Sequence, residues 1–152
     1  MGIDRMNQLY KSVIFDHSMH PRNFGSLDNC TGSVELRNPS CGDIIKVFVN
    51  IEDDVIKDIK YTCVGCTISK ASTSIMSQEI KGKNVDDAKK IIKAFSDNII
   101  KKDIDDDDKK MLGDARLLSD LAKFPTRIRC ATLGWHATDK LINDYKGVIS
   151  YD

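Results

Sequence analysis

The hydrophobic rhythm of this chain changes period at Cys66, and that change limits the fold more than any other feature. Before it, apolar residues alternate: Ile45, Val47, Val49 and Ile51 share one parity, with Lys46 and Asn50 on the other. A period of two marks a strand with one buried face. Beyond the polar turn Glu52-Asp53-Asp54, Val55, Ile59, Tyr61 and Cys63 give the same-parity face of a second strand, and residues 33–36 offer a shorter one upstream. Short strands joined by tight turns predict an antiparallel sheet. After Cys66 the spacing becomes helical. Ile68, Ala71, Ser72, Ile75, Met76 and Ile80 recur at intervals of three and four up to Gly82, a residue type favoured just past a helix C-terminus.

Other segments share the helical spacing. Met6, Leu9, Tyr10, Val13, Ile14 and His17 predict a first helix that ends before Pro21 and Gly25. Asn84 is a candidate cap for a helix carrying Val85, Ala88, Ile92, Phe95 and Ile99. The charged run from Lys101 to Lys110, with Asp105-Asp106-Asp107-Asp108, reads as a solvated connector. A short helix from Leu112 to Leu121 is closed by Phe124-Pro125, and a last helix starts at Cys130 with Ala131, Trp135, Thr138, Ile142 and Tyr145 on its stripe. Strands first and helices after predict an α+β fold: a three-stranded antiparallel sheet packed on one face by about five helices. The whole chain, residues 1–152, is expected to form one domain.

Charge and composition exclude several functions. Lys+Arg and Asp+Glu both number 23, which argues against a general polyanion binder and hence against nucleic acid as a partner. No stretch is apolar and long enough to span a bilayer, and Met1-Gly2-Ile3-Asp4-Arg5 carries no apolar signal core. The expected location is the cytoplasm, where thiols stay reduced. The 5 cysteines then read as metal-binding or reactive groups rather than a disulfide framework.

Three of those thiols occupy chemically loaded settings: Cys41 in Pro-Ser-Cys-Gly-Asp, Cys66 before a helical run, and Cys130 at the expected start of the last helix. Helix N-termini favour a thiolate, and Arg127 and Arg129 would reinforce this at Cys130. Asp43 lies two residues after Cys41, on the same face if the segment is extended; by spacing alone, metal ligand and exposed carboxylate are evenly matched. Three thiols and a carboxylate suit a tetrahedral site for a soft or borderline metal. A single buried, inert cysteine is a common alternative for each. Cys63 and Cys66 form a C-x-x-C pair, but the βαβ unit of a redox motif and the second pair of a zinc knuckle are both missing, and strand parity puts Cys63 in the core. Cys30 sits in a polar turn with no evident partner ligand, and His17 reads as a core histidine.

Together these contexts resemble a known family, the U-type iron–sulfur cluster assembly proteins (IscU- and NifU-like). The likeness covers nearly the whole chain. It is carried by Leu9-Tyr10 through His17 with Pro21-Arg22-Asn23, by Asn38-Pro39-Ser40-Cys41-Gly42-Asp43, by Gly65-Cys66-Thr67-Ile68-Ser69-Lys70-Ala71-Ser72, and by residues 124–135. Within the family the chain is similar to the SufU type: Arg129 replaces the histidine that IscU-like proteins carry before the third cysteine, and residues 103–121 match an added segment. The resemblance implies that Cys41, Asp43, Cys66 and Cys130 bind one zinc. It also implies that Cys41 accepts persulfide sulfur from a SufS-type pyridoxal-phosphate cysteine desulfurase, for use by downstream iron–sulfur assembly proteins. A scaffold that assembles an iron–sulfur cluster is the alternative, and a structural zinc-binding interaction module is another. Ile44 departs from the family, in which an arginine often follows Cys-Gly-Asp.

Overall fold

The computed structural model describes residues 2–28, 30–39, 42–100, 106–123 and 125–145, with side chains left aside at 2–7, 108, 119–123 and 125–126. Cys41, Asp105 and Phe124 therefore lie outside the described residues. Strands β1 (Gly32–Asn38), β2 (Asp43–Glu52) and β3 (Val55–Val64) form an antiparallel sheet in that order. Helix α1 (Gly2–Met19) precedes the sheet. It is followed by α2 (Thr67–Ile80), α3 (Val85–Ile99), α4 (Asp106–Leu112), a 3-10 segment (Gly113–Lys123) and α5 (Pro125–Tyr145). No helix among the described residues is long and apolar enough to cross a membrane.

The alternation in β2 is realised as expected: Ile45, Val47, Val49 and Ile51 are buried. Asp53 and Asp54, at φ 54° and 61°, make the two-residue turn to β3. Left-handed dihedrals at both central positions match the twist of paired strands, and Asp tolerates them better than most residues. The expected face of β3 needs one correction. Ile56, Ile59 and Tyr61 are buried, whereas Val55 is only half-buried. Asn50 pairs with Asp58 but Ile51 with Ile56, so Lys57 is an extra residue that reverses the parity upstream of it.

The helices cover the buried face of the sheet. Helix α5 lies on β1 and β2, α2 lies along β3, and the two helices pack together. Helix α3 packs against α5 through stacked Phe95 and Trp135 rings, with centroids 3.9 Å apart and 6° between planes. The Trp135 indole N–H donates to Ser72 Oγ at 3.0 Å, and Ser72 donates to the Ala131 carbonyl at 2.6 Å, so the α2–α5 seam is hydrogen-bonded as well as apolar. Asn84 caps α3 by accepting from Asp87 N at 2.8 Å.

Three helical expectations change. Leu9 is exposed, while Ile14 and His17 hold the buried stripe of α1. The charged connector contains α4: Asp107 sits in its first turn and Lys109 and Lys110 in its last, which complements the helix dipole, and Leu112 anchors it in the core. Helix α5 begins at Pro125, not Cys130. Proline suits the first helical position because its missing N–H has no helical partner there.

Candidate metal centre

Asp43 opens β2 opposite Asn38, and Gly42 N donates to the Asn38 carbonyl at 2.8 Å to close the connecting loop. Strand parity sends the Asp43 side chain to the same face as Ile45 and Val47, beneath the helices, where the residue is 2% exposed. A carboxylate so placed requires partners. Cys66 N donates to its Oδ1 at 3.1 Å, and the Ser69 hydroxyl donates to its Oδ2.

Cys66 is the N-cap of α2, with extended backbone at φ −80° and ψ 168°, and its Sγ accepts from Ser69 N at 3.4 Å. Gly65 is needed for a reason other than backbone turning. Its φ is not positive, but a Cβ there would stand 2.2 Å from Asp43 Oδ1 and 2.6 Å from Cγ. Cys130 reaches the site from within α5, where it is 4% exposed. Because Pro125 precedes it by more than a turn, Cys130 is not at a helix N-terminus, and the dipole argument does not apply to it. The packing of α5 on α2 holds it instead. Arg127 and Arg129 are exposed on the first turns of α5, whereas the thiol is buried.

The outcome is a junction of three elements. One ligand atom each from Asp43, Cys66 and Cys130 lies within 4.8 Å of the others. Among the described residues no other group of His, Cys, Asp and Glu converges in this way. Zinc–sulfur bonds of about 2.3 Å in a tetrahedron place ligand atoms about 3.8 Å apart. Asp43 Oδ2 and Cys66 Sγ are already 3.7 Å apart. The donor set, its burial and its spacing therefore fit zinc.

The remaining candidates fall elsewhere. Cys63, opposite Ile45 in β3, packs against the core, and its thiol is pushed up to about 11 by burial and then by the Asp43 carboxylate. It stays protonated at neutral pH, which weighs against a C-x-x-C redox couple. Cys30 is half-buried and lies outside the cluster. His17 is a buried core histidine whose Nδ1 lies 2.7 Å from Ser74 Oγ. Ile44 pairs with Val64 across the strands, so an apolar neighbour stands where an arginine would need an anion. Ser69 carries no role in the sequence reading. Its signal was the spacing: a polar residue three positions after an N-cap faces back toward it.

The chain matches the description "NifU-like N terminal domain" over residues 9–150. It is 42% identical over 142 residues to the zinc-dependent sulfurtransferase SufU of Bacillus subtilis, covering 93% of this chain and 95% of that one. It is 40% identical over 142 residues to the iron-sulfur cluster assembly scaffold protein IscU of Streptococcus pyogenes, covering 93% and 87%. Among solved structures, a putative iron-sulfur cluster assembly scaffold protein for the SUF system from Fervidobacterium islandicum superposes with a TM-score of 0.80 at 30% identity, covering 87% and 95%.

Proposed function

The chain belongs to the NifU-like N-terminal domain family, and we propose that it is a zinc-dependent sulfur acceptor in iron–sulfur cluster biogenesis. The observation that carries this reading is the convergence of Asp43, Cys66 and Cys130 within 4.8 Å at one junction of the fold. Cys41, two residues before Asp43, is the proposed fourth ligand and the sulfur acceptor. Bound zinc would hold the sulfurs as thiolates and shield them from mutual oxidation.

The residues divide the work. Cys66 is fixed as a helix cap, and Cys130 is fixed by burial in α5. Asp43 is the weakest ligand of the set, since an oxygen donor exchanges with water more readily than a thiolate. In the sequence Cys41 falls between Asn38, which ends β1, and Asp43, which opens β2. The proposed donor is a SufS-type pyridoxal-phosphate cysteine desulfurase. The Cys41 thiolate attacks the terminal sulfur of the desulfurase's cysteine persulfide. That S–S bond breaks, the desulfurase cysteine leaves as a thiolate, and a new S–S bond joins the transferred sulfur to Cys41 with no net oxidation. A downstream assembly protein then takes the sulfur.

Two measurements test this. After incubation with desulfurase and cysteine, peptide mass spectrometry should find one added sulfur on Cys41, and Cys41→Ser should abolish it while the protein stays folded. Sulfur on Cys63 or Cys66 with Cys41 unmodified would overturn the assignment. The near-equal likeness to an iron–sulfur scaffold supports a second reading, because thiolates also ligate iron–sulfur clusters. Metal analysis of protein purified without added iron separates the two. One zinc per chain supports transfer, and a coloured protein carrying iron and sulfide supports the scaffold.

A further inference from the structure

Ser69 contacts all three described residues of the proposed centre, Asp43, Cys66 and Cys130. Its residue is fully buried. Its hydroxyl donates to Asp43 Oδ2 and stands 3.5 Å from Cys66 Sγ and 3.3 Å from the Cys130 carbonyl. Its backbone N–H donates to Cys66 Sγ at 3.4 Å. A serine hydroxyl has one proton, so three acceptors in reach compete for it. The carboxylate wins, being charged and nearest, because a hydrogen bond to an ionised acceptor is roughly twice as strong as a neutral one.

The two Asp43 oxygens are thereby held by different groups, Oδ1 by Cys66 N and Oδ2 by Ser69. Gly65 leaves the space into which the carboxylate fits. Both donors and the glycine come from one short stretch, Gly65 to Ser69, which also carries a thiol ligand. From this we infer that Ser69 is the positioning residue of the centre, fixing the rotation of the Asp43 carboxylate so that the one oxygen ligand meets the metal already oriented. The inference rests on the metal reading above. It goes beyond it by assigning the stability of the weakest ligand to a residue that does not itself bind the metal. Groups that orient metal ligands in this way typically contribute about 10–100-fold to metal affinity.

The test is zinc affinity by chelator competition on the full chain, for wild type, Ser69→Ala, Asp43→Ala, the double variant, and Ser77→Ala. Ser77 is a fully buried α2 serine that bonds to Ser74 and Arg22 away from the centre, so it controls for loss of any buried hydroxyl. Ser69→Ala should weaken zinc binding by about 10–100-fold, and Ser77→Ala should lower the melting temperature while leaving zinc affinity at the wild-type value. In the Asp43→Ala background, Ser69→Ala should add no further loss, because its effect runs through the carboxylate. Should the single Ser69 variant fail to fold, an added loss in the double variant over Asp43→Ala would still overturn the inference. Wild-type affinity in Ser69→Ala, with a loss in Asp43→Ala, would overturn the inference and leave the metal reading standing. A full Ser69→Ala loss persisting without Asp43 would overturn it too. Unchanged affinity in Asp43→Ala would remove Asp43 from the ligand set and take the metal reading down with the inference.

Discussion

Replacing Gly65 by alanine should damage the centre by steric means alone. The new Cβ would sit 2.2 Å from Asp43 Oδ1, 2.6 Å from its Cγ and 3.1 Å from its Cβ. Two of these distances are far inside the optimum of about 3.5–4.0 Å for carbon contacts. The carboxylate cannot simply swing clear, because Asp43 is paired with Asn38 in the sheet and buried beneath the helices. Displacing it breaks the 3.1 Å bond from Cys66 N. Overpacking of this kind costs about 1–3 kcal/mol, and a lost bond to a charged group costs about 1.5–3 kcal/mol. For a domain of this size 1 kcal/mol lowers the melting temperature by about 2–4 °C, so the combined cost lowers it by roughly 5–24 °C. Gly82→Ala is the control. Gly82 has φ +87° and nothing within 4 Å of its notional Cβ, so alanine there meets only backbone strain, about 1–2 kcal/mol. Thermal melting gives the stability effect and chelator competition gives the zinc effect. Gly65→Ala should lose on both, and Gly82→Ala on melting alone. Equal melting shifts with unchanged zinc retention in both variants would refute the reasoning.

Further outcomes follow from the same geometry. Cys66→Ser should keep the α2 cap, since serine is a preferred N-cap residue, yet lose zinc by well over the roughly 100-fold of an orienting group; chelator competition and the far-ultraviolet helix signal together check this. Cys130→Ser should lose zinc as well and melt lower than Cys66→Ser, because it leaves a hydroxyl in a buried position of α5. Cys63→Ser should cost packing stability while sulfur acceptance on Cys41, read by mass spectrometry, continues. Burial holds the His17 imidazole below its ordinary 6.5, with the Arg22 charge adding to the effect and Asp114 opposing it. Above that pH both states are neutral there. Below it the unfolded chain takes up a proton that the folded chain refuses, so stability falls as pH falls. His17→Gln should therefore flatten the loss of stability as the pH falls below the ordinary 6.5, measured by urea unfolding.

The sheet was legible because a period of two is set by the residues themselves, and Ile45 to Ile51 carry it without interruption. Its one failure, at Val55, came from a bulge at Lys57, which belongs to the pairing of two strands and not to either strand alone. The start of α5 failed for a related reason. A proline can end one helix or open the next, and only the packing of Ala115 and Leu118 before it and Ile128 after it separates the two. Cys66 and Cys130, which the structure brings together with Asp43, were candidates by their chemistry, while Ser69 was not, since a serine has no rare property to mark it. The signal was nonetheless present in the strand. Asp43 shares the parity of Ile45, Val47 and Val49, and a carboxylate on the buried face of a strand cannot stay unaccompanied. The structure extends β2 back to Asp43, and that parity then buries the carboxylate, which requires donors on the opposing layer. Helix α2, capped by Cys66, supplies them through two groups, the Cys66 N–H and the Ser69 hydroxyl one turn on.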